Sequence, residues 1–141
     1  MTEKFGADVL YADNGAIHVD TIEQLDALLN RCHLEAQKTE PFLVEIMLST
    51  GDALTIGLGR DLSLLSYVSS SGEPPYFVSV GDSVPDDDVV LGDDDVVVFY
   101  FCGTYTELPC FTLIPMELAR EGARYFFQHA SLPSFINWIE G

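Results

Sequence analysis

The run VVVFYFCGTY from Val96 to Tyr105 constrains the fold more than any other stretch of the chain. Consecutive β-branched and aromatic residues suit a strand packed on both faces, not one half exposed to water. The run is therefore expected to be the central strand of a sheet. The fourteen residues before it contain seven aspartates, Asp82, Asp86, Asp87, Asp88, Asp93, Asp94 and Asp95, and no Lys or Arg. One end of that strand is expected to carry a strong negative field.

A chain of 141 residues fits one domain, spanning 1–141, and can bury about two thirds of its unfolded surface in one core. Hydrophobic residues make up 48% of it, too many for a disordered acidic tail, although the net charge is −17. The basic residues are Lys4, Arg31, Lys38, Arg60, Arg120 and Arg124, so Asp61 to Ala119 carries none. Such a surface repels nucleic acid. It either serves solubility alone or steers in a basic partner across about 8 Å of physiological salt. Three cysteines, Cys32, Cys102 and Cys110, form no CxxC pair, and their odd number leaves at least one thiol free. The segment MTEKFGADVL has no apolar signal region, and no later stretch is long and apolar enough to span a membrane. A cytosolic setting without membrane contact is the expectation.

Asp8 to Asp20 reads as two short strands joined at Asp13-Asn14-Gly15, because Asn-Gly takes up the positive φ of tight hairpin turns. Asp20 is expected to cap a helix over Thr21 to Gln37, with Glu23 at the reciprocal position and Ile22, Leu25, Leu29, Cys32 and Ala36 along one face. Arg31 and His33 fall off that stripe and are expected in solvent. After Pro41 the chain divides at Ser49 to Asp52 into two apolar strands, a second hairpin. Leu62 to Val68, Tyr76 to Val80 and Cys110 to Ile114 are further strand candidates, with a turn expected near Cys102 to Glu107. Pro115 suits the start of a helix bearing Leu118, Ala119, Gly122, Ala123 and Phe126 on its apolar face and ending near His129. Trp138, with Phe135, Ile136 and Ile139, is expected to bury and hold the C-terminal tail. The fold class is α+β: a mostly antiparallel sheet of about five to seven strands, with an N-terminal and a C-terminal helix packed on one face.

No catalytic constellation is visible. His18, His33 and His129 lie far apart with no metal-binding spacing, and Gly57-Leu58-Gly59-Arg60 lacks the third glycine of a dinucleotide loop. Counting an EF-hand loop from Asp86 puts Leu91 where glycine must stand, so the aspartates are not read as a metal site. No cofactor is expected. Aromatics lie among the acids, and such rings are typical interface anchors. The partner-binding candidates are Glu73, Tyr76, Asp82, Asp86, Asp87, Asp88, Asp93, Asp94, Asp95, Tyr105 and Glu107, against the simpler reading of a solvated acidic loop and core-packed rings.

The segment LTIGLGRDLSLLSYVSSSGEPPYFVSVGD, Leu54 to Asp82, followed by IPMELAREGARYFFQHASLPSFINWIEG with Trp138 close to Glu140, resembles immunity protein family one of bacterial polymorphic toxin systems. The likeness runs from about Phe42 to Glu140, and the closing helix is its most specific part. It implies an α+β cytosolic antitoxin that binds a cognate basic toxin domain, a deaminase or a nuclease, since relatives neutralise deaminase toxins acting on DNA. The alternatives left open are an acidic module for another basic partner and an enzyme whose site is dispersed along the sequence.

Overall fold

The computed structural model describes residues 6–10, 15–72, 76–81, 96–101 and 104–140. Strands β1 (Ala7–Leu10) and β2 (Ala16–Val19) form the expected opening hairpin, and Gly15 has φ +78° where β2 begins. Helix α1 (Ile22–Lys38) follows it. Its cap is Thr21, one residue later than expected: Thr21 Oγ1 accepts the Gln24 N–H at 3.1 Å, and Gln24 Oε1 accepts the Thr21 N–H at 3.3 Å. Gln24 thus closes the capping box in place of Glu23. Leu25, Leu28, Leu29, Cys32 and Ala36 form the buried stripe.

Strands β3 (Phe42–Leu48) and β4 (Ala53–Leu58) make the second hairpin, turning through Gly51 at φ +95°. The expected strand Leu62 to Val68 is divided at Leu64 into β5 (Leu62–Ser63) and β6 (Leu65–Val68). The buried Ser63 hydroxyl donates to Gly57 O at 2.6 Å, and the Leu64 side chain joins a separate apolar cluster. Strands β7 (Phe77–Val80), β8 (Val96–Phe101) and β9 (Thr104–Pro109) come next. Residues 104–107, expected within a turn, therefore belong to a strand. Cys110 to Ile114 is not one: Cys110–Thr112 is a 3₁₀ turn, pinned by Thr112 Oγ1 donating to Pro109 O at 2.6 Å, before the short β10 (Ile114–Pro115). Helix α2 (Met116–His129) ends at Ala130, which takes the left-handed conformation, and β11 (Asn137–Glu140) completes the order.

The architecture is α+β, with two helices and a mostly antiparallel sheet. Among the described residues that sheet has nine strands, wider than the expected five to seven. Its main path runs β11-β7-β6-β4-β3-β1-β2, which makes β4 the middle strand. β8 is not central. It meets β3 in parallel at Phe42 opposite Tyr100 alone and otherwise pairs with β9, so β8 and β9 form a branch hanging from β3. β5 and β10 pair separately. The first helix is the third element of the chain, after a hairpin, and not its N-terminal one.

Side-chain alternation gives the sheet two unlike faces. Val44, Ile46 and Leu48 of β3 and Leu54, Ile56 and Leu58 of β4 join one core with the buried stripe of α1 and with Ala119, Ala123, Phe126 and Phe127 of α2. Arg124 Nε donates to Asp26 Oδ1 at 2.8 Å, linking the two helices. The opposite face receives the β8–β9 branch at one end, where Leu43, Leu64, Val97, Phe99 and Leu113 form a second cluster. A methyl on Gly57 would lie 2.7 Å from the Phe99 ring, so the ring sits directly on the β4 backbone. The alternation inside β8 is thus one buried face (Val97, Phe99) and one half-buried face (Val98, Tyr100), not the two buried faces expected.

Candidate functional site

Of the sequence-derived binding residues, Glu73, Asp82, Asp86, Asp87, Asp88, Asp93, Asp94 and Asp95 lie outside the described residues. The described residues on either side of the acidic run are both fixed to the same short stretch. Gly81 N–H donates to Phe111 O at 3.0 Å, and Val96 pairs with Pro109. Gly81 and Val96 therefore both stand beside Pro109 to Phe111, where the Phe111 ring is 52% exposed.

Tyr105 and Glu107, two apart on β9, share the outer face of the branch hairpin. Tyr105 packs edge-on against Tyr100, with centroids 5.9 Å apart and planes at 84°, and its hydroxyl donates to Glu107 Oε2 at 3.3 Å. Loss of solvent around the phenol, then the Glu107 charge, push its pKa above the usual value, so it stays a donor at neutral pH. Among the described residues β9 pairs only with β8, which leaves its other edge without a strand partner beside this Tyr-Tyr-Glu cluster. Tyr76 stands just before β7, and its hydroxyl donates to Gly72 O at 2.7 Å, which holds the ring at the surface.

Trp138 is half-buried, not fully buried. It packs against the main core from β11, opposite Ser79 of β7, and its Nε1 donates to Pro133 O at 3.0 Å. His33, expected in solvent, is half-buried, and its Nδ1 accepts the Gly59 N–H at 2.9 Å. Burial, then the nearby Arg120 charge, lower its pKa. His18, more than half exposed, is bracketed by Asp8 Oδ1 and Asp20 Oδ1, each at 2.9 Å, and hydrogen bonds to these carboxylates raise its pKa. Among the described residues no group of three His, Cys, Asp or Glu could hold a metal ion. No helix among them is long and apolar enough to cross a membrane.

The region that sequence reasoning missed is the part of the second sheet face that, among the described residues, the branch hairpin leaves uncovered. Glu45 and Met47 alternate with the core residues Val44, Ile46 and Leu48, and Met47 is 36% exposed. Strand register continues them into two rows across the sheet. One runs Ile139, Val78, Ser66, Thr55, Glu45, Leu10, Ala16, and the other Val68, Ala53, Met47, Asp8, His18. The signal was present in FLVEIML, where Glu45 interrupts an apolar strand, but only the pairing of neighbours turns it into a surface.

The cations are distributed unlike the acids. Lys4 lies outside the described residues, Arg31 and Lys38 belong to α1, and Arg120 and Arg124 belong to α2. Arg60, between β4 and β5, lies over the Phe99 ring 5.6 Å from its centroid and donates from Nη2 to Val98 O at 3.2 Å. The two rows contain acids, hydroxyls, apolar side chains and His18, with no Lys or Arg. No curated protein matches the chain. The sequence profile of immunity protein Imm1 matches residues 13–140, and on that match, which extends beyond both helices and nearly the whole sheet, the chain belongs to the Imm1 immunity protein family.

Proposed function

We propose that the protein is a cytosolic antitoxin that binds a cognate toxin domain acting on nucleic acid, a deaminase, and blocks it by occupying its basic substrate groove. Membership of the Imm1 family over residues 13–140 carries this reading. The charge supports it: at −17, with no Lys or Arg from Asp61 to Ala119, the surface complements a groove built to hold phosphates. The inhibitor contributes no chemistry. It works by steric and electrostatic exclusion, with the acidic run 82–95, Glu73, Tyr76 and the Tyr105–Glu107 pair as contact candidates.

The test is to express the toxin domain encoded beside the immunity gene with and without this chain. The expected result is restored growth, a co-purifying complex, and loss of uracil formation in a DNA substrate. A toxin domain that kills equally well in the presence of this chain overturns the antitoxin reading. Inhibition of a domain that produces no uracil overturns the deaminase assignment alone.

A further inference from the structure

We infer that the open sheet face centred on Glu45 and Met47 is the surface that docks the toxin, and that the patch it receives carries Lys or Arg around an apolar anchor. This rests on the antitoxin reading and goes further, because the binding residues expected from sequence lie in loops and on the branch hairpin.

Three observations converge on the face. First, it is apolar at its centre and acidic beside it. Met47 stands opposite Ala53 and Asp8, while Glu45 stands opposite Thr55 and Leu10. Ile139, 45% exposed, and the half-buried Val78 continue the apolar surface toward β11. A contact that excludes water around an apolar anchor strengthens the ion pairs at its margin.

Second, the layers are electrically unlike. Four of the five described Lys and Arg residues belong to α1 and α2, and Arg60 is folded onto Phe99 and Val98. The only group in the two rows able to become cationic is His18, already bracketed by Asp8 and Asp20. A basic partner docked on the helices would meet Arg and Lys side chains interspersed with their carboxylates, whereas on the open face it meets Glu45 and Asp8 with no Lys or Arg in either row.

Third, the size and the boundary fit. Seven strands at the usual spacing of about 4.8 Å give a face about 29 Å across, adequate for a standard protein interface. The β8–β9 branch closes one end of the face by burying Leu43 and Gly57, so the hairpin forms a wall beside the open rows.

The experiment measures binding of the catalytically inactivated toxin domain encoded beside the immunity gene. Glu45→Lys, Met47→Lys and Ile139→Lys place cations on the open face. Glu117→Lys and Glu121→Lys, exposed on α2, make the same carboxylate-to-ammonium change as Glu45→Lys on the helix layer. The expected result is a rise in Kd of about 30-fold or more for each of Glu45→Lys and Met47→Lys, chiefly through faster dissociation, and less than about threefold for the α2 variants. Ile139→Lys, on an edge strand, repeats the test where a variant at β3 fails to fold, as judged by circular dichroism and melting. Wild-type binding unaffected by every folded open-face variant, or weakened more by the α2 variants, overturns the inference and leaves the antitoxin reading intact. A wild-type chain that does not bind this domain overturns both.

Discussion

Replacing Phe99 tests the fold at the junction between the branch hairpin and the main sheet. The ring is fully buried, sits against Gly57, and has the Arg60 guanidinium 5.6 Å from its centroid. Phe99→Ala should cost about 3–5 kcal/mol through lost burial and the cavity left behind, including about 0.5–1 kcal/mol from the lost cation–π contact. Gly57 has no positive φ, so Gly57→Ala adds no backbone strain, but its methyl would lie 2.7–3.1 Å from three ring atoms. Overpacking of that kind costs about 1–3 kcal/mol. In the double variant the methyl projects into space the ring has vacated, so the clash disappears. The double should therefore cost about as much as Phe99→Ala alone, a coupling of about 1–3 kcal/mol toward stability. Urea melts of the four proteins measure this cycle, with Phe99→Leu as the milder partner should the alanine variant be too unstable to melt. Costs that add to within about 0.5 kcal/mol would refute the packing of the hairpin on β4.

Trp138→Ala should cost about 2–3 kcal/mol, below the full-burial figure because the indole is half-buried, and should lower the melting temperature by about 10 °C; an unchanged melt would show that the tail is held by other contacts. The two histidines should act on stability in opposite directions. His18, with its pKa raised above 6.5 by Asp8 and Asp20, stabilises most below pH 6.5 and loses that effect as pH rises through its folded pKa. His33, lowered by burial and accepting a hydrogen bond at Nδ1, weakens the fold as pH falls below 6.5, because only the unfolded chain then takes up the proton readily. NMR titration should place His18 above 6.5 and His33 below it, and the reverse order would contradict both geometries. Changing Asp86, Asp87, Asp88, Asp93, Asp94 and Asp95 to Asn should slow toxin association and flatten its salt dependence. An unchanged rate and slope would leave the acidic run as a solubilising segment only.

The helices were legible because their signals are local. Leu25, Leu29, Cys32 and Ala36 recur at helical spacing, and Pro115 marks the start of α2. The hairpins β1–β2 and β3–β4 announced themselves through Asn14-Gly15 and the Ser49 to Asp52 break. What could not be read was pairing between distant segments. VVVFYF reads by composition as a central strand, and only the packing of Phe99 on Gly57 shows that it belongs to a hairpin on one face. Thr104 to Pro109 mixes hydroxyl, acid and proline residues that suit turns, yet pairing with all of β8 extends it into a strand. Tyr105 and Glu107, named from sequence as contact candidates, are both exposed on β9. The open face escaped because its two rows draw on seven strands, and no linear window brings Ile139 beside Val78 or Met47 beside Asp8.

The pairing of β11 with β7 bears on how the chain emerges from the ribosome. Val80 is made long before its partner Asn137, and in the interval one edge of β7 has no neighbour in the main sheet. An unpaired edge beside exposed apolar side chains invites pairing with other chains, and nascent proteins are most vulnerable while a late strand is still missing. Ser79 limits that exposure from within: its hydroxyl accepts the Leu65 N–H at 3.0 Å and donates to Thr112 O at 2.7 Å, tying β7 to residues made before α2 begins. Removal of Asn137–Glu140 would therefore leave that edge of β7 open, and such a variant should aggregate more readily than the intact chain.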